Sequence, residues 1–99
     1  MSRTANAARA EAVIDSFVLR PTFAALVAAE EELGPLFALV ERAASGELKL
    51  SEMVALFWHC LDERDGVTRD EFSDAVVAGG LAAATPALKI LLGQILGGR

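Results

Sequence analysis

The sequence predicts a mainly α protein: about five short helices in a compact bundle, with a short N-terminal β-strand or hairpin. Three observations lead there. Helix-start signals recur down the chain, as proline or hydroxyl pairs at Pro21-Thr22 and Thr85-Pro86, at Pro35 and Ser51, and as the run Thr68-Arg69-Asp70-Glu71. Strand-like composition is confined to the stretch before Pro21. Glycines at 34, 46, 66 and 79–80 punctuate the intervening segments.

In chain order, residues 1–10 are polar and alanine-rich and read as a loose tail, leaving 11–99 as a single helical domain. Ala12 to Arg20 is rich in β-branched and aromatic residues. Alternation sets Val13, Phe17 and Leu19 on one face, with Asp15 between them. A tight hairpin and a single strand both fit.

Pro21 or Thr22 opens the first helix, which Gly34 closes. Leu33, Leu26, Phe23 and Val27 fall in one stripe with Glu30 at its centre, while Glu31 and Glu32 point away. A carboxylate there needs a partner, because burying it unpaired is costly. Arg20 and Arg42 are the candidates, making Glu30 a structural buried carboxylate.

Pro35 starts a second helix to Gly46, with Leu36, Phe37, Leu39, Val40, Ala43 and Ala44 on a broad apolar face. Ser51 caps a third, reaching about Glu63. Its apolar residues, Trp58 and Cys60 among them, cover about 200° of its circumference, twice an ordinary surface stripe. Only Glu52, Ala55, His59 and Asp62 face away, so this helix is central. The capping box at Thr68 opens a fourth helix to about Ala78. Thr85-Pro86 opens a fifth to about Leu96, carrying one charge, Lys89. Phe23, Leu26, Phe57, Leu61, Phe72 and Leu92 are the expected core.

Composition narrows the function. The chain has 99 residues, of which 54% are hydrophobic, so a core of this size leaves apolar material outside. Such surface on a small domain marks a protein partner, a second copy included. Trp58, Val77 and Ile90 lie off the main stripes of their helices and are the expected protein-binding residues. The net charge is −5 and the basic residues are scattered singly, which argues against nucleic acid. One cysteine, Cys60, excludes an internal disulfide and suits a reducing cytoplasm. No run approaches about 18 apolar residues, and no signal peptide is recognisable, so neither export nor a membrane is expected.

The chemical motifs fail on spacing. Asp62 to Glu71 resembles a calcium loop, but with Gly66 sixth, Leu61 and Phe72 fall where the first and twelfth positions need carboxylates. His59 and Cys60 are adjacent on a helix, about 100° apart, so they do not converge as base and nucleophile. There is no second histidine for zinc and no glycine-rich phosphate loop. No enzyme, cofactor or metal is expected.

The order of features in RPTFAALVAAEEELG, GELKLSEMVALFWHCL and GGLAAATPALKILLGQILGG resembles small proteins of phage-like gene transfer agents. These are classed as tail assembly chaperones and also described as tail tube proteins. The likeness covers most of the chain. It implies a β-hairpin before Pro21, although Asp15-Ser16 replaces the family's glycine turn. It also implies a non-enzymatic chaperone that binds the hydrophobic tape-measure protein, or another tail protein, before the tail tube polymerises. The alternatives are a structural component of the tail and a small regulatory or antitoxin-like binding module.

Overall fold

The computed structural model describes residues 11–97, so the expectation of a loose tail over 1–10 lies outside them. Strands β1 (Ala12–Ile14) and β2 (Phe17–Leu19) are followed by helices α1 (Phe23–Leu33), α2 (Leu36–Ala44), α3 (Leu50–His59), α4 (Arg69–Ala78) and α5 (Leu81–Gly97). This is the predicted class, with five helices and an N-terminal hairpin among the described residues. α1 packs chiefly on α3, and α5 on β1.

The hairpin exists because Asp15 accepts a left-handed backbone, with φ 56°, and turns the chain with Ser16 alone. Aspartate tolerates that region where a β-branched residue does not. The two-residue turn resets which side chains face inward. Ala12 pairs with Leu19 and Ile14 with Phe17, and this is the core side. Val13, expected inside, pairs with Val18 and is exposed.

The same hairpin shortens α3. The Arg20 N–H donates to the Cys60 carbonyl at 2.7 Å, and the Asp62 N–H to the Val18 carbonyl at 2.9 Å. Residues 60–62 thus leave the helix to bridge β2 at Leu19–Leu61. α3 ends at His59 instead of Glu63, because a strand edge offers these backbone groups partners.

α1 departs most from its expected orientation. Thr22 caps it, accepting from the Ala25 N–H at 3.1 Å. Its inward face is centred on Ala29, with Ala25, Leu26 and Leu33 beside it. Ala29 lies in the core cluster, and Ala55 of α3, expected to face away, is buried as well. Small residues allow close helix approach, and dense packing outweighs the larger stripe. Phe23, an expected core residue, is consequently 84% exposed.

The Thr68 capping box forms as expected. The Glu71 N–H donates to Thr68 Oγ1 at 3.1 Å, and the Thr68 N–H to Glu71 Oε1 at 3.0 Å. Thr68→Ala should therefore cost about 1 kcal/mol in urea unfolding. An unchanged midpoint would show that α4 stands without its cap.

α5 starts one turn earlier than expected. Leu81 to Ala84 continue into the helix ahead of Pro86, alanine being the best helix former. Pro86 has no N–H for the Ala82 carbonyl, while Thr85 Oγ1 donates to the Leu81 carbonyl at 3.1 Å. Ala84, Ala87 and Leu91 are its buried face. At the centre of the core lie Phe57 and Phe72, both with no exposed surface. Phe17 meets Phe72 edge-on, with ring centroids 5.1 Å apart.

Candidate protein-binding surfaces

The four residues singled out from sequence occupy different settings. Trp58 is half-buried, tilted against Phe72 at 6.1 Å between centroids, with the Arg64 guanidinium 5.1 Å from its ring centroid. Ile90 is also half-buried and packed against the core. Val77 is 54% exposed. With Leu50 and Val54 it lines an open groove between α3 and α4, bordered by Arg69 and Ser73. Glu30 is not buried. Its carboxylate accepts the Leu36 N–H at 3.0 Å and so caps the start of α2.

Neither expected partner reaches Glu30. Arg20 binds Glu11 at 3.0 Å and Asp62 at 3.3 Å, tying the hairpin to the segment after α3. Arg42 pairs with Glu52, joining α2 to α3. The rotation of α1 by about a quarter turn, which exposes Phe23, also carries Glu30 out of the core.

That rotation assigns the structural carboxylate to Glu32. Arg69 grips it with two nitrogens, Nη1 to Oε1 at 3.0 Å and Nη2 to Oε2 at 2.6 Å. His59 Nε2 lies 2.7 Å from the same Oε1. Three helices meet at one side chain. The Arg69 hydrogen bonds, and then the His59 bond, lower the Glu32 pKa from its ordinary value to about 2. The helix periodicity of α1 alone placed Glu32 outside, and its partners lie 27 and 37 residues away.

Burial also decides the chemistry of Cys60. Its thiol is pushed up to about 12, and without a thiolate it is a core side chain rather than a nucleophile. Among the described residues no group of three or more His, Cys, Asp or Glu stands ready to hold a metal ion. No single described helix is long and apolar enough to cross a membrane, and α4 and α5 are bent by 113° from one another.

The most exposed large apolar side chains lie on α1 and α2. Phe23 is joined by Val27 one turn on, and Phe37 in the first turn of α2 is 80% exposed. Glu30, on the same side of α1 as Phe23 and Val27, reaches the α2 N-terminus beside Phe37. The arrangement leaves two aromatic rings outside a filled core, where only another surface would cover them. Sequence reasoning assigned both rings to interior faces.

No curated protein and no solved structure matches the chain. Residues 7–98 match the family described as phage tail tube protein, GTA-gp10. With nearly its whole length matched, the chain belongs to that phage tail family.

Proposed function

We propose that this protein is a non-enzymatic tail assembly chaperone, acting in the cytoplasm of the producing cell. It holds the hydrophobic tape-measure protein until the tail tube forms around it. The observation that carries this reading is the pair Phe23 and Phe37, large rings exposed on adjoining helices of a folded acidic chain. Aromatic anchors dominate the energetics of protein interfaces, and a net charge of −5 favours solubility of a complex with an apolar client.

The description of the family as a tube protein favours a second reading, a structural part of the tail. Against it, the two strands have three residues each, little edge for a β-lined ring.

Co-expression with the tape-measure reading frame of the same tail gene cluster separates the two. A chaperone keeps the tape-measure protein soluble, co-purifies with it and is missing from finished particles. An insoluble tape measure, with this chain abundant in particles, would overturn the proposal in favour of the tube.

A further inference from the structure

We infer that the outer face of α1 and α2 is the docking site, and that its partner is an amphipathic helix with an apolar ridge flanked by Lys and Arg. This deepens the chaperone reading and rests on it. Phe23 and Val27, one helical turn apart, form the apolar line on α1, and Phe37 is exposed in the first turn of α2, next to the Leu36 N–H that Glu30 caps. Carboxylates follow the apolar residues on both helices. Glu30 and Glu31 follow Val27 by three and four residues, and Glu41 follows Phe37 by four; all three are exposed.

These charges are available to a partner. Among the described residues neither Glu31 nor Glu41 has an ion pair. Arg42, the one cation on either helix, is engaged by Glu52. The face therefore offers aromatic anchors with carboxylates one helical turn beyond them. Its complement is an apolar stripe with basic flanks, the pattern of a helix laid into a groove.

The same charges decide against a second copy of this chain. A two-fold contact brings a patch onto itself, and here it would set one acidic patch, whose Arg42 is already engaged by Glu52, against another. Like charges so placed are repelled. The α3–α4 groove at Leu50 and Val77 has Arg69 on its border, and that cation is already committed to Glu32.

The test is retention of the full-length tape-measure protein by wild type, by Phe23→Ser with Phe37→Ser, and by Glu31→Lys with Glu41→Lys. Melting temperature and sedimentation velocity are measured on each. All four positions are exposed, so the variants should melt as wild type does. The phenylalanine pair should lose roughly tenfold or more in retention. The lysine pair should lose roughly threefold or more, and the loss should shrink as salt screens the charges. If the phenylalanine variant retains the tape measure as well as wild type does, the face is wrong and the chaperone reading stands. Equal retention by the lysine variant would overturn the basic partner. Failure of wild type itself to retain it would end the chaperone reading and this inference together. A wild-type dimer abolished by the phenylalanine variant would overturn the inference by making the occupant a second copy.

Discussion

Phe57→Ala is expected to destabilise the protein by about 3–5 kcal/mol, the range for emptying a fully buried aromatic site. Phe57 sits on α3 with no exposed surface, in the same core cluster as Leu56, Phe72 and Leu19. Those neighbours come from a strand and from two helices, so none can fill the cavity alone. Small domains are marginally stable, and the melting temperature should fall on the order of 20 °C. Phe23→Ala, which removes an equal ring, should change stability by less than about 0.5 kcal/mol because that ring is in water. A loss below about 1 kcal/mol at Phe57, or a larger loss at Phe23, would invert the assignment of inside and outside.

The second large effect is expected at Glu32, and it depends on pH. The folded-state pKa is about 2 and the ordinary value is 4.5, so the unfolded chain takes up this proton more readily. The ion-paired carboxylate therefore stabilises the fold fully above about pH 4.5, and that contribution disappears as pH falls toward 2. The Glu32 side chain is 39% exposed, and water screens part of the interaction. Glu32→Gln should then cost about 1 kcal/mol at neutral pH. Below pH 4.5 the wild-type and variant unfolding curves should converge. Curves separated by a constant gap from neutral pH down to pH 2 would remove the carboxylate charge as the cause. Glu31→Gln, at an exposed carboxylate with no ion pair among the described residues, should change stability at neutral pH by less than about 0.5 kcal/mol.

Much of the local structure was readable because its causes are local. Thr22, Thr68 and Glu71 cap helices through atoms three residues away, so a short window of sequence contains both donor and acceptor. Gly34, Gly46, Gly66 and Gly80 all take positive φ, which such punctuation implies. The central place of α3 was also legible, since too much of its circumference is apolar for a surface helix. The core position of Phe57 follows from that, whereas Phe72 belongs to α4.

The direction in which α1 faces was not legible. Phe23 to Ala29 is apolar without interruption, so periodicity offers no single stripe, and the larger side chains suggested the wrong one. The face centred on Ala29 is the one that packs inward, and helices that meet through small residues approach most closely. From that one rotation follow the exposure of Phe23, the surface position of Glu30 and the turn of Glu32 toward His59 and Arg69. The end of α3 was hidden for a similar reason: residues 60–62 read as helix until the hairpin supplies backbone partners from residues 18–20.

What the sequence by itself determined is therefore where α1, α2 and α4 begin, where the strand-forming segment lies and which helix is central, all consequences of short-range capping and composition. Tertiary structure alone decided which face each element shows. Packing density chose the alanine side of α1, and the partners of Glu32 come from α3 and α4, far along the chain. A face without a strong polar boundary carries no instruction until its neighbour is in place.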